Sequence, residues 1–239
     1  LLASTWNTDL VYNIGKEMGQ EAKAYGIDII LAPALNIQRN ILGGRNFEYY
    51  SEDPFVTGKM ASAMVRGIQS NGVGASIKHF AANNQETNRE TINVKVSERA
   101  LREIYFAGFE MAVKEANPWT VMTSYNKING VYTSESEELL NKILRRGWGF
   151  KGGVMTDWFG GSNPVQQMKA GNDLLMPGTK NQLKKIIDAV KQGVLKEDVL
   201  DENVSRVLGL IRKSLSFKGY RSTGQPDLKK HAETARRSA

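Results

Sequence analysis

The chain has 239 residues, 41% hydrophobic and 24% charged, with 23 glycines and no cysteine, which excludes a disordered polymer, a collagen-like repeat and a disulfide scaffold. Its net charge is +7, but residues 1–206 hold 24 basic against 23 acidic groups, so nearly all the excess lies in the last 33 residues. A basic field confined to a polar tail does not describe a nucleic-acid surface, and no run of 18 apolar residues is present to span a membrane.

Neither a methionine nor a signal-peptide pattern opens the chain, and the helix-competent run 233–239 closes it without a stop signal. Both ends are therefore expected to be cuts in a longer protein, which leaves the compartment undetermined.

In chain order, apolar Leu10, Val11, Ile14, Met18 and Ala22 predict a helix over about 8–25, ended by Gly26. A short buried strand follows at 27–32, stopped by Pro33. A loop rich in Gly, Asn and Tyr runs from 36 to 52. Asp53-Pro54 then caps and starts a helix to Asn71-Gly72, with Phe55, Val56, Met60, Met64 and Ile68 inward. The cycle repeats: strand 73–77, loop 81–93, a helix capped by Ser97 to Ala116, strand 119–124, loop 126–134, helix 137–146 and strand 153–156. Asn163-Pro164 caps a further helix, Leu174 to Met176 forms a last strand, and two helices cover about 182–192 and 202–215.

Five strand–helix units imply parallel strands joined by crossover helices. No GxGxxG follows a strand and no GxxxxGK[ST] exists, so a nucleotide-binding sheet is disfavoured. The expected class is α/β, a (β/α)8 TIM-type barrel incomplete at its N-terminal side. Residues 1–216 form the barrel portion, and 217–239 are a linker toward a second domain.

Such a barrel carries its chemistry just past the carboxyl ends of the strands, where this chain gathers its unusual residues. These are Gly43 to Pro54 with Arg45, Lys78-His79 followed by Arg89, Tyr125-Asn126, and Asp157-Trp158. One carboxylate among cations, neutral donors and aromatic faces suits a neutral polyhydroxylated ligand. Two histidines, no cysteine and no paired ligand spacing do not suit a metal, and no GxSxG elbow offers a serine nucleophile. Each residue also has a plainer reading. Asp157 could cap a helix, Lys78-His79 could be a surface lysine beside a core histidine, Arg45 could pair with Glu48 or Asp53, and Trp158 could be core, as Trp119 and Trp148 are taken to be.

The strings GRNFEYYSEDP (44–54), KHFAANNQETNR (78–89), VMTSYNKING (121–130) and GFKGGVMTDW (149–158) resemble the barrel domain of glycoside hydrolase family 3, in its β-glucosidase branch. The resemblance covers nearly the whole chain, in order. It implies a retaining exo-acting β-glucosidase releasing a terminal non-reducing glucosyl unit from a β-glucoside or oligosaccharide, without a cofactor. It matches Asp157 to the nucleophile, Arg45, Lys78, His79 and Arg89 to residues holding the sugar hydroxyls, and Tyr125 and Trp158 to the aromatics beside the nucleophile.

The resemblance also locates what is missing. The N-acetylglucosaminidase branch carries its acid/base histidine in KHFPGHG, and this chain reads KHFAANN there. In the β-glucosidase branch a downstream domain supplies a glutamate. A sugar-binding aspartate lies upstream of Leu1. Glu48 and Glu86 are the in-chain carboxylates that could substitute, with structural roles favoured for both. The alternatives are an incomplete, inactive sugar-binding fragment, or a β-xylosidase or arabinosidase of the same family.

Overall fold

A computed structural model describes all 239 residues. Helix α1 (Thr8–Ala24) leads to strand β1 (Ile29–Ile30), helix α2 (Pro54–Gln69) and strand β2 (Gly74–Phe80). After β3 (Asn93–Val94) come α3 (Glu98–Ala100), a π-helical turn (Leu101–Tyr105) and α4 (Ala107–Ala116). Strands β4 (Thr120–Thr123), β5 (Lys127–Ile128) and β6 (Val131–Tyr132) precede a second π-helical segment (Glu138–Gly147), β7 (Gly153–Thr156) and α5 (Pro164–Ala170). The chain ends in α6 (Lys180–Lys191), α7 (Glu197–Lys213) and α8 (Leu228–Ser238).

Strands β1, β2, β4 and β7 pair in that order, all parallel, and a single parallel bridge from Met155 to Leu174 adds a fifth position. This is the expected α/β arrangement of consecutive barrel strands, an open arc rather than a closed ring. The last expected strand, Leu174 to Met176, is reduced to that bridge.

Side chains from the strands meet α2 and α4 in one core. Ala75, Ile77, Val121 and Val154 are buried against Val65, Ile68, Phe109 and Val113. Phe80 sits at its centre, with ring centroids 5.1 Å from Phe109 and 5.5 Å from Trp148. Trp148 is thus core, and Trp119 is half-buried under Lys213.

The helix starts follow the capping residues. Asp53 accepts from the Phe55 and Val56 amides at 2.7 and 3.0 Å, and Asn163 does the same for Val165 and Gln166.

Two inward faces differ from expectation. Phe55 is 61% exposed, because Val56, Met60, Met64 and Ile68 repeat every four residues and Phe55 lies about 100° around the helix from that line. On α1 the buried stripe is Val11, Gly15, Gly19 and Ala22, and Met18 points outward. The glycines bring the two backbones together: a Cβ on Gly67 would lie 2.2 Å from the Tyr12 carbonyl oxygen, and one on Gly15 2.6 Å from that of Met64. Apolar periodicity misses this interface because its contact surface is backbone.

Further differences lie outside the main sheet. The segments expected as loops at 81–93 and 126–134 carry a small second sheet, β3–β5–β6. Helix α7 begins at Glu197, one turn before the expected start near 202. In the basic stretch 217–239, α8 lies along α1, where His231 Nδ1 is 2.7 Å from Glu21 Oε1 and the Thr234 hydroxyl donates to Glu17 at 2.8 Å.

Candidate functional site

The four strands of the main sheet run in one direction, so their carboxyl ends share one face of the arc, and the seven residues singled out by sequence lie on or after those ends. Asp157 follows β7 directly and is 6% exposed. Its Oδ1 accepts the Trp158 amide at 2.8 Å, whereas Oδ2 has no hydrogen-bond partner. His79 Nε2 lies 3.7 Å from that free oxygen, too far for a hydrogen bond. Asp157 is not a helix cap, since the next helix is capped by Asn163, and its buried Oδ2 at the strand tip is left without a partner.

Lys78 and His79 are neighbours in β2, and a regular strand would send their side chains to opposite faces. The register between β2 and β4 shifts between Ile77 and Phe80, an irregularity of the kind that re-aims side chains. Both nonetheless reach the same site. His79 (1% exposed) faces Asp157, and Lys78 Nζ lies 3.5 Å from Glu48 Oε2. Lys78 is therefore not a surface lysine.

Arg45 also pairs with Glu48, through Nε to Oε1, so the plainer reading of Arg45 is correct as far as it goes. Glu48 thereby ties Arg45 to Lys78 across 33 residues of sequence. Glu86 plays the same part for Arg89, at 2.8 Å, while accepting from Asn83 Nδ2 at 3.2 Å. The Arg89 guanidinium stacks 4.6 Å from the centroid of the Tyr125 ring. Trp158 is 47% exposed beside Asp157, an aromatic face open to a ligand rather than core.

The electrostatics follow from this layout. Burial holds the His79 imidazole well below its ordinary pKa, and the positive charges of Arg45, Lys78 and Arg89 add to the effect. His79 is neutral at neutral pH. Burial likewise lifts the Tyr125 phenol to about 12, helped by the negative charge of Asp157, so Tyr125 remains a proton donor.

The depressed His79 pKa has a measurable consequence for stability. Between the folded pKa and about 6.5 the unfolded chain binds the extra proton, so stability rises with pH across that window and falls as pH drops through it. One such group contributes a slope of up to about 1.4 kcal/mol per pH unit. Urea unfolding between about pH 5 and pH 7 is expected to show this slope in the native chain and to lose it in His79→Gln. An unchanged slope in the variant would show that His79 titrates normally.

Sequence reasoning left three residues of this site without a role there. Asn36 (2% exposed) holds His79 through both backbone groups, and Tyr49 and Asn83 bond each other at 3.0 Å beneath Glu86. A lone Asn between Leu35 and Ile37 after a buried strand was the available signal for Asn36. No group of three or more His, Cys, Asp or Glu side chains is placed to hold a metal.

Residues 1–210 match the glycosyl hydrolase family 3 N-terminal domain. The chain is 46% identical over its full length to the thermostable β-glucosidase B of Acetivibrio thermocellus, covering 31% of that protein. It is 44% identical, again over its full length, to an exo-α-(1→6)-L-arabinopyranosidase of Bifidobacterium longum, covering 31% of it. Its backbone superposes on β-glucosidase 3B from Thermotoga neapolitana, solved in complex with glucose, with a TM-score of 0.98 and 56% identity over 99% of this chain and 34% of that one. The chain thus spans about a third of the length of these relatives.

Proposed function

The chain belongs to glycosyl hydrolase family 3, and from that membership and the geometry at Asp157 we propose that it carries the nucleophile half of a retaining, exo-acting β-glucosidase site. The observation that carries the reading is the free, buried Oδ2 of Asp157 at the tip of β7, 3.7 Å from His79 Nε2, with Arg89 and Tyr125 close enough to feel the charge of Asp157.

In this mechanism a terminal β-glucosyl unit lies on the face formed by the strand tips. Arg45, Lys78, His79 and Arg89 hold its hydroxyls, and Trp158 covers one side of the ring. Asp157 Oδ2 attacks the anomeric carbon as the glycosidic C–O bond breaks, through an oxocarbenium-like transition state. The product is a glycosyl ester of Asp157 with inverted configuration. Water then attacks the same carbon, frees the carboxylate and restores the β configuration. Fixed hydroxyl contacts make the attack nearly unimolecular.

A retaining reaction also needs a proton donor roughly 5–5.5 Å from the nucleophile. Glu48 is engaged by Arg45 and Lys78, and Glu86 by Arg89 and Asn83, so both serve as anchors for cations. The acid/base is accordingly assigned to a glutamate of a second domain, outside these residues, consistent with relatives about three times as long.

A dinitrophenolate leaving group departs without protonation, so the first step can be tested without that domain. Incubation of the chain with 2,4-dinitrophenyl 2-deoxy-2-fluoro-β-glucoside is expected to add one fluoroglucosyl group to the peptide containing Asp157. A label on Glu48, Glu86 or any other residue overturns the assignment.

The Bifidobacterium relative supports a second reading, hydrolysis of α-L-arabinopyranosides, which differs only in the hydroxyl contacts around the same nucleophile. A panel of aryl glycosides compared by kcat/KM separates the two, because unmet buried donors penalise the wrong stereochemistry.

A further inference from the structure

We propose that Asn36 is a positioning residue that sets the tautomer of His79: its amide oxygen holds the imidazole proton on Nδ1, leaving Nε2 as a bare acceptor facing the sugar site and Asp157. The inference rests on the β-glucosidase reading for its catalytic consequence but not for its geometry.

Three contacts define the arrangement. Asn36 Nδ2 donates to the His79 carbonyl at 2.8 Å, and the His79 amide donates to Asn36 Oδ1 at 2.8 Å. The first contact requires a donor on the asparagine and the second an acceptor, so the orientation of the Asn36 amide is determined by its partners. The same Oδ1 lies 3.3 Å from His79 Nδ1. Of the two acceptors the ring faces, only Asn36 Oδ1 is within hydrogen-bond distance, Asp157 Oδ2 being 3.7 Å from Nε2, so a neutral imidazole gains a hydrogen bond by carrying its proton on Nδ1, and the ring is buried among positive charges that keep it neutral. Tyr49 packs edge-on against the ring, centroids 6.5 Å apart, and fixes its plane.

The tautomer decides what Asp157 meets. With the proton on Nε2, His79 would offer a donor to Oδ2 and weaken the attacking oxygen. With the proton on Nδ1, Nε2 offers no donor, Oδ2 stays without a partner and Nε2 accepts from a sugar hydroxyl. One asparagine 43 residues away in sequence thus protects the nucleophile and supplies the ligand with an acceptor.

Only two histidines are present, so in a His231→Gln background the imidazole 15N signals of labelled protein belong to His79 alone. Near neutral pH the long-range 1H–15N spectrum is expected to show Nδ1 protonated and Nε2 bare. Asn36→Ala is expected to move the population toward the Nε2–H form, and Asn36→Asp, which keeps an acceptor oxygen in place, to retain Nδ1–H at about pH 8. A native His79 with its proton on Nε2 overturns the proposal, as does an unchanged tautomer in Asn36→Ala. If Asn36→Ala does not fold, the native spectrum and Asn36→Asp still decide.

In an active enzyme carrying this chain, Asn36→Ala is expected to reduce kcat/KM on an aryl β-glucoside roughly ten- to a hundred-fold, with most of it recovered in Asn36→Asp. Equal loss in both variants overturns the positioning role. The two readings fail separately. Labelling away from Asp157 with the Nδ1–H tautomer intact removes the glucosidase assignment, and the reverse removes only the role of Asn36.

Discussion

Asp157→Ala is expected to lower kcat/KM on aryl β-glucosides by roughly 10⁴-fold or more in an active enzyme that carries this chain, the scale seen when one member of a covalent catalytic set is removed. The residue is buried at the end of β7, and its free oxygen makes no structural contact whose loss would unfold the strand. KM should change little, because Arg45, Lys78 and Arg89 keep their anchors on Glu48 and Glu86. The truncation also opens space on the face from which the carboxylate attacks. Added azide is expected to enter that space, attack the anomeric carbon and restore turnover, releasing the α-glucosyl azide. Near-native hydrolysis by the variant, or a β-azide product, would place the nucleophile elsewhere.

The second large effect concerns stability and lies at the opposite end of the same strand. Asp173 is almost fully buried and serves three donors: Val154 N and Arg145 Nη2 on Oδ2, both at 2.7 Å, and Arg206 Nε on Oδ1 at 2.8 Å. It pins the second π-helical segment and α7 to the start of β7. Arg145 continues the junction by donating to the Gly152 and Gly171 carbonyls at 3.0 Å.

Asp173→Ala leaves the Arg145 guanidinium without a carboxylate and Arg206 with only the exposed Glu202, and breaking a buried pair costs about 3–5 kcal/mol. For a chain of this size that corresponds to a Tm about 6–20 °C lower. Asp173→Asn keeps an acceptor for Val154 and is expected to lose less. Differential scanning calorimetry of the three proteins checks the order. A shift below about 2 °C in the alanine variant would mean that the arginines find other partners.

The two residues show how one short strand is used. Four residues of β7 are held at their amino end by a buried ion cluster and present a carboxylate at their carboxyl end. Rigidity at the first end supports placement at the second, which is the division of labour expected between the two faces of a β/α barrel.

Much of this was legible in the sequence because it is written in local terms. The order of strands and helices follows from short apolar blocks alternating with capped amphipathic runs, and Asp53-Pro54 and Asn163-Pro164 start helices as their chemistry dictates. The shared face of Asp157, Lys78-His79 and Tyr125 follows because parallel strands deliver the residues at their carboxyl ends to one side.

What sequence could not supply are relations between distant segments. Apolar periodicity misplaces the inward face of α1 because glycines, which carry no hydrophobic signal, form its contact with α2. Glu48 between Arg45 and Lys78, Asn36 on His79, and Asp173 between Arg145 and Arg206 join residues 28 to 43 apart or assemble partners from three elements. Local patterns along the chain suffice for an α/β fold with a carboxylate and several cations at its strand tips. Tertiary structure alone decided which oxygen of that carboxylate is free and which acid holds each cation. Hydrogen bonds and ion pairs act over a few ångströms in space, and no local pattern along the chain encodes which distant groups come within that range.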